Sequence, residues 1–203
     1  MFDRIKGWAK LWQIPKRWWL LGIPVGGFLA FVIGVLFLGG FYVALEVSNT
    51  EEFCISCHEM SEFIYPEYIE GPHYRNASGV RAICSDCHVP HDMLYKIPKK
   101  IYASREIWYH LTGAIDTREE FEATRYEMAS RVWEYMRESD SRECRNCHSR
   151  EAMALEMQGR QAQRKHSDEW YERTGETCID CHQGIAHHLP EPPAVVPDVT
   201  PAP

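Results

Sequence analysis

All eight cysteines of the chain fall in four pairs of one form: Cys54-Ile-Ser-Cys57-His58, Cys84-Ser-Asp-Cys87-His88, Cys144-Arg-Asn-Cys147-His148 and Cys178-Ile-Asp-Cys181-His182. A C-x-x-C-H pentapeptide sets two thiols and an imidazole close together in sequence. That is the attachment pattern of c-type haem, in which the thiols form thioethers with the porphyrin vinyl groups and the histidine is held beneath the iron. Zinc sites and disulfide frameworks also use cysteine pairs. Neither calls for a histidine directly after each pair, and here four of four carry one. The pattern predicts four covalently bound haem c groups and, because such haem is attached outside the cytoplasm, an extracytoplasmic domain.

Cys54 and Cys84 are 30 residues apart and Cys144 and Cys178 are 34 apart, with Cys144 following Cys87 by 57 positions. This spacing predicts a haem domain built from two diverged two-haem units. Each unit carries two further histidines in comparable places: His73 and His91 in the first, His166 and His187 in the second. Low-spin haem needs a second strong axial ligand, and neutral imidazole is the commonest choice, so these four are the candidates. His110 and His188 have no such counterpart and read as surface residues. Met60, two residues past His58, offers a thioether that either ligates the first iron or packs beside a porphyrin.

The elements that must position these groups begin with an anchor. Trp18 to Leu45 is a run of 28 uncharged residues, about 42 Å as a helix and enough to span a bilayer with tilt. A cleaved signal would have a shorter apolar core and a small-residue cleavage site. Residues 1–17 carry Arg4, Lys6, Lys10, Lys16 and Arg17 against Asp3 alone. By the positive-inside rule this places the N-terminus in the cytoplasm and residues 46–189 in the periplasm of a bacterium, anchored to the inner membrane. Setting that basic start aside leaves 17 cationic and 28 anionic side chains, a formal charge of −11 over residues 18–203. Nucleic-acid binding would need the opposite balance. The glycine-rich span can pack against a second copy, which makes a homodimer one expectation.

Eight residues separate the span from Cys54, so the first haem is the one a lipid-soluble donor can reach. Asp116 to Glu138 reads as an amphipathic helix capped by Asp116 or Thr117, with Phe121, Met128, Ala129, Val132, Trp133 and Met136 on one face. Residues 190–203 hold six prolines in fourteen positions and are expected to form a disordered tail. The fold expected is mainly α and low in regular secondary structure: a single transmembrane helix over residues 18–45 and a compact multihaem domain over residues 46–189.

Several longer strings carry a family resemblance: Asn49-Thr-Glu-Glu-Phe-Cys54-Ile-Ser-Cys57-His58-Glu-Met60, Cys84-Ser-Asp-Cys87-His88-Val-Pro-His91, Ile115-Asp-Thr, and Thr177-Cys178-Ile-Asp-Cys181-His182-Gln-Gly-Ile-Ala-His187. With the basic start and single span, they resemble the NapC/NirT family of membrane-anchored tetrahaem quinol dehydrogenases over nearly the whole chain, and within it the members serving periplasmic nitrate reductase. The resemblance implies Met60 ligation and an open or weakly filled position at the first haem. It implies proximal ligands His88, His148 and His182 at the other three, with distal ligands among His73, His166 and His187. His91 is then left to approach the first haem or line its pocket. Related members bind quinol with a lysine and a carboxylate, matched here by Lys99 or Lys100 with Glu106. The same segment also reads as a basic surface helix meeting lipid headgroups.

The function expected is electron transfer from the membrane quinol pool to a periplasmic reductase, most simply nitrate reductase. The alternatives are a haem relay fed by another membrane protein and a donor to a nitrite or N-oxide reductase. A terminal reductase would need an exposed pocket rich in Arg, His or Tyr away from the membrane, and no such constellation stands out.

Overall fold

The computed structural model describes residues 19–20 and 23–192, so the basic start and most of the Pro-rich tail lie outside the described residues. The chain divides into two units, Met1–Ser48 and Asn49–Pro203. In the first, β1 (Trp19–Leu20) pairs antiparallel with β2 (Ile23–Pro24), and helix α1 runs Val25–Val47. The helix starts later than the uncharged run suggests, because the backbone ahead of it is held in this strand pairing and proline has no N–H for a helical ladder. Its 23 residues span about 35 Å, more than the roughly 30 Å hydrocarbon core of a bilayer. Its apolar side chains are exposed all round, Phe31, Leu36 and Phe37 among them. Such a helix is long and apolar enough to cross a membrane.

The second unit is helical, with short elements set by local caps. Thr50 caps α2 (Glu51–Cys54) by accepting from the Phe53 amide. A π-helical turn (Met60–Ile64) leads into α3 (Tyr65–Tyr68) and then, after a loop, α4 (Cys84–His88). Helix α5 (Met93–Thr112) is capped by Asp92 and ends at Gly113 in the left-handed region. Helix α6 (Arg118–Glu138) begins at Thr117, whose hydroxyl accepts from the Glu120 amide while the Glu120 carboxylate accepts from the Thr117 amide. This reciprocal box is the reason the amphipathic stretch starts where it does. Then follow α7 (Arg142–Arg145), a 3-10 turn (Leu155–Met157), α8 (Arg160–Lys165), α9 (Asp168–Thr174) and α10 (Cys178–Cys181).

Among the described residues of this unit, the buried apolar side chains are Phe63, Tyr68, Pro90, Phe121, Met136 and Ile179. That is a thin side-chain core for a unit of this length. Polar groups tie the elements together instead. Arg125, on the apolar face of α6, is buried and grips Glu67 of α3, with Nη1 donating to Oε1 at 2.8 Å. The same guanidinium donates to the His188 carbonyl at 2.9 Å, and Glu67 accepts from the His188 amide at 2.8 Å. Fully buried Ser141 donates to the Thr177 hydroxyl and accepts from the Ile179 amide, joining the segment before the third motif to the fourth.

Candidate haem centres

Two of the four motifs are locked by an aspartate at the same internal position. Asp86 accepts from the Ile83 amide and Asp180 from the Thr177 amide, each at 2.8 Å, so the carboxylate reaches back to the residue before the first cysteine and holds the turn. Motifs one and three have Ser56 and Asn146 there. The Cys54 thiol lies beside that of Cys84, and the Cys144 thiol beside that of Cys178. Cys87 and Cys147 are close enough to interact electrostatically, and α4 packs on α7.

Each of the last three motif histidines faces one imidazole from elsewhere in the chain. The ring centroids of His88 and His187 are 6.2 Å apart, those of His73 and His148 6.2 Å, and those of His166 and His182 5.9 Å. Two imidazoles on opposite sides of one metal, each nitrogen about 2.0 Å from it, have ring centres about 6 Å apart. Two of the three pairings cross between the halves of the domain: His73 precedes the second motif and meets the third, while His187 follows the fourth and meets the second. His187 reaches its place through a tight turn. Gly184 has φ +75°, and a Cβ there would meet Leu189 Cγ at 2.8 Å. A Cβ on Gly71 would stand 3.3 Å from the Ile185 carbonyl, so this loop lies close on the loop leading to His73.

The residues fit haem on several counts. An apolar cleft is lined by Cys84, Cys87, His88 and His187, with Met60, Ile55 and Ile83 contributing to its wall. The Nδ1 atoms of His73 and His187 are buried with no hydrogen-bond partner, an arrangement that is costly for a lone imidazole. Burial, then His187 and Lys99, pushes the pKa of His88 down to about 4. It is thus held in the neutral form that binds a metal.

The first motif is arranged differently. His58 Nε2 lies 3.1 Å from the Asp116 carbonyl and 3.2 Å from its carboxylate, and Nδ1 is 3.5 Å from Glu59. Its pKa is raised, first by the hydrogen bond to the Asp116 backbone. His110 faces it at 5.8 Å, tilted by 49°, and holds both Glu59 oxygens on Nδ1 at 2.7 and 3.0 Å. Burial raises the Glu59 pKa, but the bond to His110 and its own backbone overcome this and lower it. Ligand atoms of Cys57, Glu59 and His110 lie within 4.8 Å of one another.

His110 is therefore not the surface residue its isolation in the sequence suggests. Its signal was the spacing of fourteen, two heptads, that places it in line with buried Lys96 on the inner side of α5. His91 stays out of the imidazole pairs, exposed, with Nε2 3.6 Å from Asp86. Lys99 lies over the Tyr135 ring at 4.1 Å, near His88, and Lys100 lies near Cys54. Glu106 is exposed.

The family described as the NapC/NirT cytochrome c family, N-terminal region, matches residues 18–192. The chain belongs to this family. Among its relatives, the denitrification system component NirT of Stutzerimonas stutzeri is 54% identical over 183 residues, covering 90% of this chain and 89% of that one. The cytochrome c-type protein NapC of Escherichia coli K12 is 46% identical over 193 residues, 95% of this chain and 94% of the other. A putative tetrahaem c-type cytochrome of Allochromatium vinosum is 44% identical over 178 residues, 88% and 93%. No solved structure matches the chain. Membership of a cytochrome c family supports haem c as the group that the cysteine pairs and imidazoles suit.

Proposed function

We propose that this chain is a membrane-anchored tetrahaem cytochrome that takes electrons from quinol at its first motif and passes them through the other three to a periplasmic reductase. In this reading α1 spans the inner membrane with the N-terminus in the cytoplasm. The eight cysteines hold four haems, arranged as two two-haem units, which the Cys54–Cys84 and Cys144–Cys178 contacts support. His88 with His187, His148 with His73, and His182 with His166 are the axial pairs.

The observation that carries the reading is the unlike first site. Three motifs present facing imidazoles, suited to fast electron relay without ligand exchange. At the first, both imidazoles are held by oxygen atoms, so the ligand is Met60, or His58 once released from Asp116, and a polar edge is open to a donor. Bound haem supplies one-electron chemistry at each site. Quinol gives up two electrons and two protons, so its hydroxyls need hydrogen-bond acceptors, and Glu59 with His110 stands beside the first motif to provide them. Lys100 lies near Cys54 and in this reading orients the ring, whereas exposed Glu106 has the weakest support as a quinol residue.

Resemblance to NapC favours nitrate reductase as the acceptor. The 54% identity to a denitrification component supports a second reading, delivery to another reductase of that process. The test is anaerobic addition of a reduced quinol analogue to the purified protein, followed spectroscopically. One high-spin and three low-spin haems, reduced by quinol and blocked by a quinone-site inhibitor, are expected. Four low-spin haems that stay oxidised would leave a relay fed by another membrane protein. Offering the reduced protein nitrate or nitrite reductase then separates the two acceptors.

A further inference from the structure

Helix α5 is built with its polar side inward. Lys96 is buried, Lys99 reaches Tyr135, and Lys100 lies near Cys54, so its lysines turn toward the domain. Leu94, Ile101 and Trp108, seven residues apart in turn, are 80, 69 and 65% exposed, and Leu111 is 73% exposed. Tyr102 and Tyr109 border this stripe. Arg105 is its one cation, with its guanidinium 4.5 Å from the Tyr102 ring centre and donating to the Tyr102 hydroxyl. A helix on a water-facing surface shows the reverse arrangement. A contiguous apolar patch of this kind marks an interaction surface.

We propose that α5 lies on the bilayer surface, with Leu94, Ile101, Trp108 and Leu111 inserted at the boundary of headgroups and acyl chains and Arg105 at the phosphates. Three features choose lipid over a protein partner. Aliphatic residues bordered by Tyr, Trp and Arg are the composition of membrane-interface helices. The exposed stripe holds a cation and no acid, since the only acid of α5, Glu106, lies off it, while the formal charge of residues 18–203 is −11. Anionic headgroups would therefore repel most of the domain and attract this face. Only residues 48–50 separate α1 from α2, so a bilayer crossed by α1 is always within the domain's reach. The inference rests on α1 being an anchor and does not depend on quinol as donor.

The test uses the full-length holoprotein in vesicles of phosphatidylethanolamine and phosphatidylglycerol at high lipid-to-protein ratio. Single substitutions Leu94→Cys, Ile101→Cys and Trp108→Cys are compared with Glu127→Cys on exposed α6, and each is treated with a charged, water-soluble maleimide. The native cysteines are thioethers in the holoprotein and do not react. The α5 positions should react at least about tenfold more slowly than Glu127→Cys in vesicles. Equal rates overturn the inference, as does a slowing that disappears when the protein is diluted further in lipid, which would assign the face to a second copy. Flotation of the vesicles separates the two premises. Protein that floats but reacts quickly at α5 removes the interfacial helix alone, and protein that does not float removes the anchor as well.

Discussion

The first motif and the other three place histidine in opposite chemical settings. At motifs two, three and four an imidazole looks at an imidazole, and what surrounds the pair is largely apolar or orienting, as where Gln158 Oε1 lies 2.7 Å from His166 Nδ1. At motif one, His58 and His110 look at oxygen: the Asp116 carbonyl and carboxylate on one side, the Glu59 carboxylate on the other. The fold thus brings two different chemical settings opposite the same pentapeptide. A saturated pair favours relay, and a carboxylate-bordered edge favours exchange with a hydroxyl-bearing donor.

The largest expected effect comes from breaking a pair. His187→Ala, His73→Ala or His166→Ala should each convert one low-spin haem to high-spin and slow electron transfer through the chain by at least about 100-fold. EPR and absorption spectra of the purified variants report this directly. A spin-state count unchanged in all three variants would erase the distinction between the sites. Next in size is Arg125→Leu, which leaves the Glu67 carboxylate buried without its cation. It should destabilise the protein by about 3–5 kcal/mol, and the double variant with Glu67→Leu should recover much of the loss. Urea midpoints followed at the Soret band measure both, and perturbation of the His88–His187 haem should accompany the single variant because the clamp holds the His188 backbone.

How much of this was legible in the sequence depends on the range of the interaction. The C-x-x-C-H turns and the start of α6 at Thr117 are local, so spacing and cap chemistry reveal them. The pairing of His73 with His148 and of His187 with His88 joins residues 75 and 99 positions apart, and no local pattern points to it. Repeat logic suggests partners inside each half, and two of the three cross over. Arg125 interrupts the apolar face of α6 and reads as a defect until Glu67 is seen opposite it. The lysines of α5 suggest an outward basic face, and the structure turns them inward, because alternation alone does not say which side of a helix meets the domain.

Substitutions at the first motif sharpen the contrast with a smaller and more selective effect. His110→Ala or Glu59→Gln should lower the rate of quinol-driven reduction by about 10- to 100-fold, with little change in the three low-spin signals. Stopped-flow reduction by a quinol analogue, set beside reduction by dithionite, separates donor reactivity from haem integrity. Equal slowing with both reductants would mean that Glu59 and His110 act through structure alone.

The smallest effect concerns the support beneath that site. The Glu120 carboxylate accepts from the Asp116 and Thr117 amides, both at 3.0 Å, and from the Thr117 hydroxyl at 3.1 Å. These bonds, the Thr117 backbone first, lower its pKa. A carboxylate whose pKa is depressed by folding contributes stability above its unfolded pKa of about 4.3, and loses it as pH falls through the lower folded value. Glu120→Gln should therefore unfold at a lower temperature than the parent protein at pH 7, with the difference closing as the pH drops below about 4. Because the Asp116 carbonyl also meets His58, any spectral change in this variant should appear at the first haem and spare the other three. A shift confined to a bis-imidazole haem would instead show that the cap of α6 supports the relay, and that the two kinds of site share a foundation.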